Sequence, residues 1–360
     1  MAIAKIVIEN FRGIKSLALK DLPQVVLLGG RNGCGKTSVL EAIALFVAPR
    51  RTQGVLVANQ MRWYPAQTIE SLKSVFFGSD VSKEIKLTGE LSEDSSQLLR
   101  SWCVRYNIVE RNAFNYSTDT EKGVKLDADS RKLVAETGVF QDGEWVPYSR
   151  DQSIDCGSGE WRIEKTVLEK DVSVEVSSAF LSSSIISAIE FDTLKSAIVQ
   201  GGGAIITDAL KRIDSRIKGL QLVDDRAMVE LDGFTQLLPL QSLGDGLQKI
   251  VRILAFLYLV RDGGILCIDE LGNGLHYSAC RVVWDAILSF VRQYKGVQVF
   301  ITTHWNEILT SAVVAYENLR EQKNFCYINL VKNNESGSID PVRYDFATLK
   351  TALELGMEVR

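Results

Sequence analysis

The chain has no run of about eighteen apolar residues, and its first residues lack the apolar core of a secretory signal. The expectation is therefore a cytoplasmic protein with no membrane partner. Its six cysteines, Cys34, Cys103, Cys156, Cys267, Cys280 and Cys326, show no C-x-x-C pair and no metal-ligand spacing, so they are expected as reduced thiols rather than a disulfide framework. Sustained heptads are missing, which excludes long coiled-coil arms, and there are no internal repeats or low-complexity tracts. Positive charge is not in surplus: the formal net charge is −4, which is not the footprint of a strong stand-alone nucleic-acid binder. Segregated charge focused in a dimer groove leaves DNA contact open. Arg50-Arg51, and Lys211-Arg212 with Arg216 and Lys218, read as small solvated basic faces. Histidine is scarce, with only two residues, His276 and His304.

What is present is the composition of a globular protein: 360 residues, 46 % hydrophobic and 24 % charged, enough for one large core and a second lobe. Residues Gly30 to Thr37 read GRNGCGKT, a complete G-x-x-x-x-G-K-[ST] loop, between the apolar run Val25-Val26-Leu27-Leu28 and a helical pattern from Ser38 to Val47. A strand that delivers such a loop and a helix that leaves it aim backbone N–H groups and a helix N-terminus at a polyphosphate. Gly30, Gly33 and Gly35 let the backbone wrap the anion, Lys36 reaches the β- and γ-phosphates, and the Thr37 hydroxyl is placed for Mg²⁺.

Downstream, Ile265-Leu266-Cys267-Ile268 is a short buried-strand run ending in Asp269-Glu270. Asp269 is expected in the Mg²⁺ shell, and Glu270 as the group that orients or deprotonates the attacking water. The competing reading is an acidic cap of the next helix. A third strand, Val297 to Ile301, leads into Thr302-Thr303-His304, and a histidine at that strand end is placed to sense a γ-phosphate in an open α/β sheet.

These strand ends, with the segment Gln241 to Lys249, resemble the ABC-type ATPase head of the RecF, SMC and OLD proteins, in the order phosphate loop, signature helix, acid pair, switch histidine. The opening Ile6 to Ile14, with its Asn10-Phe11-Arg12 turn, is similar to that group's first strand. The resemblance implies an α/β P-loop NTPase fold, an ABC-type ATPase head over residues 1–90 and 205–360 with an inserted β-strand and helix lobe over 91–204. It implies ATP and Mg²⁺ as cofactors, with nucleotide held by Arg12, Gly30, Asn32, Gly33, Cys34, Gly35, Lys36, Thr37 and Ser38. Arg12 otherwise reads as a solvated turn arginine.

The signature reads S-L-G-D-G in place of L-S-G-G-Q, a form similar to the stand-alone OLD-like branch. By that resemblance Ser242, Gly244 and Gly246 close over the γ-phosphate of a second subunit, which implies a homodimer or higher homo-oligomer with composite ATP sites. A serine helix cap with a glycine turn is the other reading. After the acid pair, Leu271 to His276 ends in histidine where the family has aspartate, which puts His276 either at the subunit boundary or at helix-start packing. Trp305 stands where the family commonly has serine.

Between residues 90 and 205 the pattern shortens. Ile85 to Leu91, Trp102 to Val109, Trp161 to Leu168 and Val172 to Val176 read as strands, Asp151 to Glu160 as a loop, and Gln200 to Gly203 as a hinge or linker. After His304, a strand over Phe325 to Val331 and a helix over Phe346 to Leu355 leave no room for the Toprim nuclease of OLD proteins, so a nuclease is expected on another polypeptide. The resulting expectation is an ATPase whose head dimerisation switches a nuclease or toxin subunit in phage defence, an assignment that rests on resemblance to the stand-alone ATPase subunits of systems such as PARIS and Septu. The alternative is a RecF-like DNA-binding ATPase in DNA repair. An ABC transporter's cytosolic subunit is disfavoured by the signature and the N-F-R turn.

Overall fold

The computed structural model of the chain describes residues 2–48, 51–62, 69–92, 99–110, 131–141, 144–155, 161–167, 176–182, 188–224, 226–317, 319, 322–333 and 335–359. β1 (Ala2–Phe11) turns back through β2 (Ile14–Leu19), and β3 (Val25–Gly29) feeds α1 (Lys36–Val47). Two helices, α2 (Arg51–Met61) and α3 (Ile69–Lys73), precede the run β4 (Ile85–Ser92), β5 (Leu99–Glu110), β6 (Arg131–Gln141), β7 (Glu144–Asp155) and β8 (Trp161–Val167). Then come β9 (Ser178–Leu181), α4 (Ala188–Ala197), α5 (Gly203–Ile213) and the small strands β10 (Ile217–Val223), β11 (Arg226–Leu231) and β12 (Leu238–Pro239). The chain closes with α6 (Asp245–Leu259), β13 (Ile265–Ile268), α7 (Tyr277–Gln293), β14 (Gln298–Thr302), α8 (Asn306–Tyr316), β15 (Phe325–Lys332), β16 (Ile339–Asp345) and α9 (Phe346–Glu354).

The strand that carries the phosphate loop lies in the middle of a six-stranded sheet of order β16-β15-β3-β14-β13-β9, with the antiparallel β16 at one edge. The other five strands run parallel. A strand flanked on both sides and covered on both faces must be apolar throughout, and β3 reads VVLLG with every residue buried. Period-two alternation then divides it between two cores. Val25 and Leu27 pack with α6, α7 and α8, whereas Val26 and Leu28 pack with α1 and the second sheet. Each such side chain contributes roughly 1.5–3 kcal/mol of burial. Gly29, at the end of β3, has no room for a Cβ, which would overlap the Tyr327 hydroxyl from neighbouring β15.

The second sheet has seven strands in the order β2-β1-β4-β5-β6-β7-β8, all antiparallel. It is tied to the first by Gln298. That buried amide accepts the Ile3 N–H at 2.8 Å and donates to the Ile3 and Pro23 carbonyls at 2.9 and 3.0 Å, so burying it leaves no partnerless group. Strands β5 to β8 thus extend the sheet that starts at β1, and β9 adds an edge to the phosphate-loop sheet.

Two sequence expectations are corrected. Residues 151–155, expected as loop, complete β7 and pair with β8 up to Asp155 opposite Trp161, because cross-strand partners supply what an Asp-rich segment lacks locally. Gln200 to Gly203 is not a linker: a π-turn over Ile198–Gly202 joins α4 directly to α5. Gly201 takes φ +98°, and a Cβ on Gly202 would lie 2.9 Å from Tyr258 Cγ. The Tyr258 hydroxyl donates to the Gln200 carbonyl at 2.7 Å, so these glycines serve close packing on α6 rather than flexibility. Residues 156–160 and 168–175, which carry the rest of the expected loop and most of the expected strand Val172 to Val176, lie outside the described residues.

Candidate functional site

The phosphate loop has the conformation its glycines allow, with φ of +133° at Gly30, +77° at Gly33 and +106° at Gly35. Gly35 caps α1 without a side-chain bond, so the first-turn N–H groups of the helix face outward for an anion. Lys36 Nζ spans the loop, donating to the Gly30 carbonyl at 2.9 Å and the Arg31 carbonyl at 3.4 Å, and lies 3.8 Å from Glu270 Oε1.

Thr37 reaches across to the acid pair, its hydroxyl donating to Asp269 Oδ1 at 2.9 Å. Thr302, at the end of β14, donates to the same oxygen at 2.8 Å and accepts the Glu270 N–H at 2.8 Å. That second contact holds Glu270 at φ +50°, an uncommon conformation for a side-chain-bearing residue, and so aims it away from the strand. α7 begins only at Tyr277, which removes the helix-cap reading of the acid pair. Burial pushes the Asp269 carboxyl upward, and the Thr302 and Thr37 hydroxyls pull it back. A buried carboxylate facing a threonine hydroxyl is an oxygen donor set that fits Mg²⁺.

His304 Nδ1 lies 2.6 Å from Glu270 Oε2, and the indole N–H of Trp305 donates to His304 Nε2 at 2.7 Å. The three strand ends therefore bring Lys36, Thr37, Asp269, Glu270 and His304 to one place. His276 stays outside, exposed, with its ring against Tyr277.

Arg12 is not a solvated turn arginine. Its side chain is 4 % exposed, and its Nε donates to Glu41 Oε2 at 2.9 Å. Glu41 sits one helical turn beyond Ser38 on α1 and also accepts from Arg62 at 2.7 and 3.0 Å, while Arg62 donates to the Ser38 hydroxyl at 3.1 Å. Two guanidinium groups thus share one buried carboxylate beside the loop. Arg12, Asn32, Gly33, Gly35, Lys36, Thr37 and Ser38 line a single cavity of about 490 Å³, with Arg62 and Glu270 on its wall. Gly30 and Cys34 pack against each other behind it: a Cβ on Gly30 would lie 2.7 Å from Cys34 Sγ. Burial raises the Cys34 thiol pKa, which makes it a poor nucleophile.

Ser242, Gly244 and Gly246 are not brought to this cavity. Ser242 lies exposed in a 3₁₀ turn, and Gly244 rather than Ser242 caps α6, which corrects the serine-cap reading. From the same helix, Lys249 Nζ donates to the carbonyls of Glu270 and Asn273, both at 2.7 Å. The basic cluster near residue 216 is neutralised within the chain, Arg216 pairing with Asp214 and Lys218 with Asp232. Among the described residues no group of three or more His, Cys, Asp and Glu is arranged to hold a metal, and no helix is long and apolar enough to cross a membrane.

The residues missed by sequence reasoning are Glu41, Arg62, Lys249 and the partner role of Thr302. Only the placement of Ser38 and Glu41 on one helical face was a usable signal.

Residues 25–310 match the family model described as "AAA domain, putative AbiEii toxin, Type IV TA system". The chain is 21 % identical over 344 residues to an ATP/GTP phosphatase of Helicobacter pylori, covering 89 % of this chain and 90 % of that one. A local match, 44 % identical over 52 residues and 14 % of each chain, links it to the DNA replication and repair protein RecF of Rickettsia rickettsii. Among solved structures, an SMC head bound to the C-winged helix domain of ScpA superposes with a TM-score of 0.50 at 12 % identity, covering 98 % of this chain and all of that one.

Proposed function

The chain belongs to this AAA-domain family and has the fold of an ABC-type ATPase head, and from that premise we propose that it binds ATP with Mg²⁺ and hydrolyses it as the switch for a partner effector. The convergence of Lys36, Thr37, Asp269, Glu270 and His304 at the ends of three adjacent parallel strands carries this reading. Lys36 leaves the Gly30 and Arg31 carbonyls for the β- and γ-phosphates, and the outward N–H groups of α1 receive their oxygens. Thr37 and Asp269 would hold Mg²⁺, which would supply charge neutralisation to the phosphates. Glu270 orients the water and accepts its proton, with His304 beside it.

Ser242, Gly244 and Gly246 lie away from their own chain's cavity, as a segment acting on the opposing nucleotide would. We therefore assign composite sites in a homodimer or higher oligomer, working in the cytoplasm. The family description names a putative toxin of a type IV toxin–antitoxin system; that the effector is a nuclease or toxin of phage defence, carried on another polypeptide, is part of the same proposal. The division into an ATPase domain at 1–90 and 205–360 and an inserted lobe at 91–204 belongs to the same proposal, the lobe being where a partner would attach.

The test is Glu270→Gln. It should keep ATP affinity but hydrolyse at least ~100-fold more slowly, as loss of a general base typically requires. It should also accumulate an ATP-dependent, ADP-insensitive dimer by sedimentation. Near wild-type turnover would remove Glu270 from the chemistry. The RecF match supports a second reading, DNA-dependent repair, which a salt-sensitive shift with duplex DNA would favour.

A further inference from the structure

An indole N–H can only donate, so the nitrogen it faces must present a lone pair. Trp305 Nε1 faces His304 Nε2 at 2.7 Å, and the proton of the imidazole therefore sits on Nδ1, which meets Glu270 Oε2 at 2.6 Å. A ring flip would put carbons against both partners, so the two contacts fix the orientation as well as the tautomer. A second proton on Nε2 would set two N–H groups against each other for as long as the indole stays. The rings meet nearly edge to face, 80° apart, so the N–H lies along the imidazole edge.

The indole is itself held by the loop after the acid pair. A Cβ on Gly272 would lie 3.1 Å from Trp305 Cγ and Cδ2, so only the absence of a side chain there leaves the indole its place. One residue on, the Asn273 carbonyl accepts from Lys249 of α6 at 2.7 Å.

We propose that Trp305 is a positioning residue for hydrolysis: its indole fixes the His304 proton on Nδ1, aims it at Glu270, and makes that arrangement depend on the loop that α6 holds. The proposal rests on the reading of Glu270 as the base. With Oε2 occupied by the His304 N–H, Oε1 is the oxygen left for the water, and it is the one that faces Lys36 at 3.8 Å. Closure of a second subunit on α6 would bear on this loop through Lys249 and so on the indole that keeps the His304 proton on Nδ1, aimed at Oε2. The signature helix thereby acts on the base through Lys249, Gly272, Trp305 and His304 in turn.

The chain has two histidines, so ¹⁵N-histidine labelling of the full protein with two-bond proton–nitrogen correlation resolves each ring, and His276→Asn assigns the remaining one to His304. At pH 8, where an ordinary imidazole is neutral, His304 should show a protonated Nδ1 and a bare Nε2, the tautomer that free histidine in water disfavours. Trp305→Phe, which keeps a ring but no donor, should shift the proton to Nε2 or average the two, and lower kcat by about tenfold with KM within about twofold, less than loss of the base itself. Gly272→Ala should produce the same spectral change by pushing the indole. A protonated Nε2 in the wild-type ring, or a Trp305→Phe spectrum identical to wild type, overturns the proposal. The wild-type spectrum alone decides if the variants do not fold. Neither spectral result touches the ATPase reading, whose own failure would appear as full turnover in Glu270→Gln with the tautomer still measurable.

Discussion

Lys249 of α6 donates from Nζ to the carbonyl oxygen of Glu270 at 2.7 Å, so the helix that follows the S-L-G-D-G segment is fastened to the backbone of the proposed base. The tie is made by a cation with 7 % exposure, and burial lowers its pKa from 10.5 to about 8. Nearby Arg252 adds to the lowering, against Glu270 and Asp269.

A titration signature follows from that depressed value. Between pH 8 and 10.5 the unfolded chain holds a proton on Lys249 that the folded chain has released, so the contribution of this residue to stability rises with pH. The difference in unfolding free energy between wild type and Lys249→Met should grow by about 2 kcal/mol from about pH 7 to 9.5. Urea unfolding at both pH values checks it, and a difference that stays flat would mean the amine is solvated.

Lys36→Ala should abolish ATP binding, because the Lys36 ammonium is the point charge that spans the loop. Calorimetric titration with ATP and with GTP reads the loss, and wild-type affinity in the variant would exclude Lys36 from the site.

Legibility in the sequence followed the distance over which each part of the site is built. Gly30 to Thr37 and Asp269-Glu270 are contiguous, and each sits where a buried apolar run ends, so the α/β fold and the strand ends could be read directly. Glu41 meets Arg12 and Arg62 only because two sheets and α2 converge, and no local spacing signals that. Trp305 looked like a departure from a motif, yet its indole partners the adjacent histidine. Glycine at 201 and 202 suggested flexibility because a missing side chain looks the same in sequence whether it frees the backbone or lets Tyr258 approach.

Glu41→Leu should cost about 3 kcal/mol of stability, since it leaves the Arg12 guanidinium buried without its carboxylate. Arg62→Ala, whose side chain is 34 % exposed, should cost at most about 1 kcal/mol. Denaturant midpoints for the pair decide this, and equal losses would show that Arg62 rather than Arg12 depends on Glu41.

Mixing two dead variants tests the composite site. Lys36→Ala removes the loop's cation, and Ser242→Arg places a bulky charge in the exposed turn before α6. Exchanged mixed dimers should regain up to one working site, measured as phosphate release. Silence in mixtures proven to contain exchanged subunits would leave the signature segment without a role in trans.

Arg12 follows the last residue of β1, and β1 shares backbone hydrogen bonds through β4, β5, β6 and β7 with β8, five strand spacings or roughly 24 Å away. Every neighbouring pair across that width is hydrogen-bonded, with register shifts only in the β1–β4 and β6–β7 pairs. A displacement of Arg12 is therefore passed on through hydrogen-bonded strands, as a change of twist across the sheet, rather than across an open seam. A protein gripping the far strands would then sense occupancy as torsion rather than as the opening of a gap.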